Sequence, residues 1–175
     1  MTDHGDDKDE HVKNVYAHFG LAIYFAQVLE HALVNTMICA ELLPQRAGKP
    51  ESKGERETEF DAFVNEKYQQ TLGRLIRALK NATSIPPDLE SVLTEALEKR
   101  NFLAHHYFRE RAEEFMSWSG RERMIEELQG AQENLDDTAT RITAVERPLR
   151  EKYGLTDELL RPGEEKYLKS FERDI

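Results

Sequence analysis

From Glu10 to Leu43, apolar side chains recur at three-to-four spacing: Val12, Val15/Tyr16, Phe19, Ala22/Ile23, Ala26, Leu29, Leu33, Met37 and Ala40. That is the period of an α-helix. Leu21, Phe25, Val28, Ala32 and Cys39 widen the stripe nearly all the way round. A helix apolar on most sides has to be covered on most sides, at the centre of a bundle or under a second subunit. This one stretch dictates the fold class, because other helices must wrap it.

The rest of the chain supplies them. Residues 44–57 hold two prolines and two glycines and no periodic apolar residue, which predicts a loop longer than most helix–helix connections. A second helix is expected from Thr58 to Asn81, through Phe60, Phe63/Val64, Tyr68, Leu72, Leu75/Ile76 and Leu79. Its end is basic (Arg74, Arg77, Lys80), which suits the negative pole of the helix macrodipole. Ser84-Ile85-Pro86-Pro87-Asp88 reads as a helix start, and a third helix then runs to about Phe108. Ser119-Gly120-Arg121-Glu122 has capping-box spacing ahead of a fourth helix, expected from Arg121 to Tyr153 and stopped by Gly154. That helix carries one narrow seam, with Leu128, Leu135 and Ile142 at heptad spacing. A short last helix starts near Thr156-Asp157-Glu158. No stretch alternates as a strand. The expectation is an all-α, up-and-down bundle of four main helices plus a short C-terminal helix. Residues 9–175 are expected to form one helical domain behind a disordered acidic tail at residues 1–8.

Charge narrows the function. The net charge of −10 is wrong for a protein that coats nucleic acid by nonspecific electrostatics. A nucleic-acid role requires basic residues concentrated locally, or a partner that supplies them. The single cysteine, Cys39, excludes an internal disulfide and reads as a small buried hydrophobe. The N-terminus lacks a signal peptide's apolar segment, and no run of apolar residues has the length of a membrane span. A cytoplasmic protein without membrane contact or cofactor is expected.

Chemistry concentrates at Arg100-Asn101-Phe102-Leu103-Ala104-His105-His106-Tyr107. At 100° per residue, Arg100 and Tyr107 lie within about 20° of each other, whereas Arg100 and His105 diverge by about 140°. A shared pocket needs a helix end near His105, the long reach of arginine, or a second subunit. Arginine offers a planar fork of donors that suits phosphate, and histidine exchanges protons near neutrality. Together they suffice for metal-independent RNA cleavage, with His105 as base or acid and Arg100 stabilising the charged phosphate. Asn101 is placed to fix the phosphate or the imidazole tautomer. Lys99, Arg109 and Arg111 make the surroundings basic. The alternative is structural, since helix C-termini attract basic side chains anyway. A zinc site at His105 and His106 is disfavoured, because neighbouring helical positions diverge and no third ligand is in view. Glu30 sits mid-stripe on the first helix, where a carboxylate is costly unless paired. It either bridges to a neighbouring helix or orients Arg100 or a histidine.

The same eight residues resemble the Arg-x4-6-His signature of HEPN domains (higher eukaryotes and prokaryotes nucleotide-binding), in the Arg-x4-His-x-Tyr form of HepT-type toxins. The resemblance implies an all-α bundle that pairs as a homodimer with the signature at the interface. It implies a metal-independent endoribonuclease, a toxin or phage-defence component, acting on RNA and opposed by a nucleotidyltransferase antitoxin. By the resemblance Arg100 and His105 would be catalytic, Asn101 supporting, and Tyr107 the tyrosine an antitoxin modifies; His106, which points away from both faces, is a supporting candidate by its place in the motif alone. Some relatives use the bundle for nucleotide or protein binding without catalysis.

Overall fold

The computed structural model describes residues 4–49 and 52–171, and side chains outside 4–8, 164 and 166–171. Helix α1 spans His4–Met37 and continues through a π-helical turn, Ile38–Leu42, into the short α2, Leu43–Arg46. Then follow α3 (Lys53–Tyr68), α4 (Leu72–Ala82), α5 (Pro87–His105), α6 (Tyr107–Glu110), α7 (Ala112–Phe115), α8 (Trp118–Glu151) and α9 (Asp157–Phe171). Among the described residues there is no strand, and the all-α class stands. Of the tail expected at residues 1–8, the first three lie outside the described residues. From His4 the backbone is helical.

Helix α1 is the centre, packed chiefly on α8, with α4 and α5 on its other sides. Val15, Ala22, Leu29, Leu33 and Met37 are fully buried, as are Met124, Leu128, Leu135 and Ile142 of α8. The narrow seam of α8 therefore does what its spacing predicts. The direction of each helix follows from its side-chain bonds. Arg121 reaches His11 and Gln132 reaches the His18 carbonyl, so α8 runs parallel to α1. Arg100 meets Glu30 while Phe108 packs on Phe19, so α5 runs antiparallel to α1. Asn134 bonds Glu95 and Tyr107 bonds Met124, which sets α5 antiparallel to α8.

Several boundaries differ from expectation. Helix α3 begins at Lys53 instead of Thr58, because Ser52 and Glu55 form a reciprocal capping box. The second helix is not continuous to Asn81. It breaks at 69–71, where Thr71 is extended (ψ 154°) and starts α4. The stripe Tyr68–Leu72–Leu75–Leu79 hid this break, since its spacing runs through without a gap. The break adds one reversal to the chain, so α8 ends up parallel to α1 and not antiparallel, as four alternating helices would have it. Helix α8 is capped by Ser117, two residues before the predicted Ser119; its hydroxyl accepts from the Gly120 N–H at 3.0 Å. The reason is packing: a Cβ on Gly120 would stand 2.0 Å from the Glu114 carbonyl oxygen. Only glycine lets α7 fold back against the first turn of α8. At the other end, Gly154 takes a positive φ of 76° in the turn after α8.

The expectation that no stretch has membrane-spanning apolarity is corrected. An 18-residue window within Asp9–Arg46 has a mean hydropathy of 1.3, long and apolar enough to cross a membrane by length and composition. In the fold 44% of that window is buried inside the protein.

Candidate functional site

Tyr107 decides where α5 stops. Its ring is 1% exposed, wedged against Phe19, Phe102 and Phe108, and its hydroxyl donates to the Met124 carbonyl at 3.0 Å. Drawing this ring into the core takes His106 out of helical geometry (φ −130°, ψ −25°), and α5 ends at His105. Burial, with the Glu127 charge added, pushes the Tyr107 phenol well above its ordinary range. A tyrosine so placed is a structural anchor. The modification role implied for it needs an accessible hydroxyl, which this conformation does not present.

About two turns earlier, the other half of the motif is organised differently. The Arg100 guanidinium meets Glu30 of α1 at 3.3 Å and the Asn101 side-chain oxygen at 3.3 Å. Both ends of the Arg100–Glu30 pair keep about a quarter of their surface open, at 28% and 25%. The mid-stripe carboxylate is thus paired across helices, as its cost of burial demands. Beside it, His31 hydrogen-bonds the hydroxyl of Tyr68, the last residue of α3. Burial, then the Glu30 charge, raises the Tyr68 phenol above its usual range. Glu30, His31, Tyr68, Arg100 and Asn101 form one polar constellation on three helices.

His105 is not part of that network. It is exposed in the last turn of α5 and has no hydrogen-bond partner among the described residues; its ring lies 6.2 Å from that of His106. Helix α5 is continuous from Arg100 to His105, so the divergence of about 140° persists in the fold. The helix end expected near His105 is present. His106 is exposed and shares a 3.0 Å hydrogen bond with Arg109.

The basic surroundings expected here are largely neutralised. Lys99 pairs with Glu95, Arg109 with Glu110, and Arg111 makes a two-pronged bond to Glu127. Sequence reasoning gave His31 no role and placed Tyr68 only in the apolar stripe of the second helix, because their meeting spans 37 residues. The available signal was a Glu30-His31 pair inside an apolar stripe. A second polar cluster, where Arg121 bonds His11 and the Phe115 carbonyl under the Trp118 ring, is fully satisfied and structural. Among the described residues, no three His, Cys, Asp or Glu side chains gather closely enough to hold a metal ion. The chain matches no protein-family model, no curated protein and no solved structure.

Proposed function

We propose that the protein is a metal-independent endoribonuclease of HEPN type, working as a homodimer in a toxin or phage-defence role. The observation that carries this reading is the contrast within α5. Arg100 is held in place by Glu30 and Asn101 at a partly open position, while His105 stands exposed at the helix end with no hydrogen-bond partner among the described residues. At 3.3 Å the Arg100–Glu30 contact is longer than a strong charge-assisted bond, so a phosphate competes for the guanidinium.

In the proposed reaction His105 takes the proton of a ribose 2′-hydroxyl. The 2′-oxygen bonds to the adjacent phosphorus as the bond to the 5′-oxygen breaks, and the leaving oxygen takes a proton from water. Arg100 stabilises the charge on the phosphoryl oxygens. The products are a 2′,3′-cyclic phosphate and a 5′-hydroxyl. Because Arg100 and His105 diverge on one helix, a second copy completes the cleft. A nucleotidyltransferase partner, a cytoplasmic setting and the absence of a membrane role belong to the same reading. The buried Tyr107 hydroxyl gives such a partner no acceptor in this conformation.

Expression of the wild type beside Arg100→Ala and His105→Ala tests it. Growth arrest and RNA loss confined to the wild type support catalysis. Equal growth and intact RNA in all three turn the reading to a noncatalytic nucleotide- or protein-binding bundle.

A further inference from the structure

Between the end of α3 and the face of α4 lies an open cleft of about 510 Å³, lined by Glu66, Gln69, Gln70, Arg74, Arg77 and Asn81. Had 58–81 been one helix, the macrodipole would account for Arg74 and Arg77. The break at 69–71 removes that account for Arg74. Arg74 now sits in the first turn of α4, at the pole where a cation is disfavoured, and Lys80 is the basic residue of its last turn. Lys80 is also paired, with Glu90.

Arg74 and Arg77 are not. Arg100, Arg111, Arg141, Arg147 and Arg150 each meet a carboxylate. Arg74 and Arg77 are exposed, and neither has a carboxylate within salt-bridge reach among the described residues, not even Glu66 in the same cleft. The exposed Arg123 of α8 also lacks a carboxylate partner among the described residues, but Arg74 and Arg77 stand together on one cleft. Residues three and four apart share a helix face, so Arg74, Arg77 and Asn81 point the same way. Guanidinium forks match phosphate oxygens. The cleft is open and, Ala78 apart, lined by polar residues, unlike the enclosed, mostly apolar pockets that hold small ligands. Gln69 and Gln70, which line the cleft, follow Tyr68 of the Arg100 constellation directly in sequence.

We propose that the α3–α4 cleft docks the phosphate backbone of single-stranded RNA, with Arg74 and Arg77 as its phosphate ligands. This rests on the ribonuclease reading and supplies the local positive site that an acidic protein needs to hold RNA. The test is fluorescence anisotropy of a short labelled single-stranded RNA against the full-length His105→Ala protein, from about 50 to about 200 mM salt. Adding Arg74→Gln and Arg77→Gln lowers affinity roughly tenfold or more. It also reduces the slope of log affinity against log salt by about 1.4, at about 0.7 for each phosphate no longer neutralised. Arg123→Gln, which removes an exposed arginine on α8, leaves both unchanged. Equal affinity and slope in the double variant and the Arg123→Gln control overturn the docking site, while RNA cleavage by the wild type keeps the ribonuclease reading standing. A wild type that neither binds nor cuts RNA overturns both. Displacement of the RNA by a 5′-mononucleotide at equal phosphate concentration replaces strand docking with a small-phosphate site, and so overturns the proposal too.

Discussion

Replacing Gly120 with alanine sets two effects of opposite sign against each other. Alanine is favoured over glycine within a helix by at most about 1 kcal/mol, so propensity alone predicts a more stable protein. Geometry predicts the reverse. The new methyl would lie 2.0 Å from the Glu114 carbonyl oxygen and 2.6 Å from its carbonyl carbon and Cα. These are backbone atoms, with no flexible side chain to swing aside, so α7 must recede from α8 by more than an ångström. That movement pulls on two bonds that fix the junction. One is the Ser117 cap on the Gly120 N–H (3.0 Å), and the other joins the Arg121 guanidinium to the Phe115 carbonyl (2.9 Å). A lost cap costs about 1 kcal/mol, and a lost bond to a charged group about 1.5–3 kcal/mol. Less the propensity gain, Gly120→Ala is destabilising by about 1.5–3 kcal/mol. In urea, with a slope of about 2 kcal/mol/M, the midpoint falls by about 0.75–1.5 M. An unchanged or raised midpoint would refute the close approach of α7 to α8.

Other outcomes follow from single contacts. Tyr107→Phe keeps the ring packing and removes the bond to Met124, so stability drops by about 1 kcal/mol; a neutral change in the urea midpoint would mean the hydroxyl is not buried as described. Burial, with Glu146 beside it, pushes the Cys39 thiol up to about 11. A disulfide reagent at about pH 8 is therefore expected to label native Cys39 far more slowly than urea-unfolded protein, and equal rates would show an open π-turn. The hydrogen bond from Arg150, with the Arg147 charge behind it, holds the Asp157 carboxyl below the usual range. A depressed folded pKa gives stability that is present above the unfolded value and lost as pH falls through the folded one. Asp157→Asn should flatten that acid limb in urea midpoints measured across pH, and an identical limb would sink the assignment.

The sequence made the helices legible where packing repeats along one face. The all-round apolarity of α1 and the heptad seam of α8 anticipate the central pair, and the mid-stripe Glu30 anticipates a partner across helices. What escaped was set by contacts between distant residues. The apolar period runs unbroken through 69–71, so nothing local marks the turn that reverses the chain. That error carried over to Arg74, whose charge looked explained while it stood near the end of a longer helix and not in the first turn of a shorter one. Tyr107 reversed its meaning for a similar reason. As a motif residue it looked functional, but its ring is what ends α5 and leaves His105 exposed. The extra positive charge that Lys99, Arg109 and Arg111 promised around Arg100 is cancelled by Glu95, Glu110 and Glu127.

The most direct measurement is incubation of the purified protein with RNA in excess chelator, followed by identification of the product ends. Ribonuclease chemistry at Arg100 and His105 predicts 2′,3′-cyclic phosphate and 5′-hydroxyl ends, with rates falling at least about 100-fold in Arg100→Ala and in His105→Ala. RNA left intact by the wild type, or cut equally by all three proteins, would contradict it.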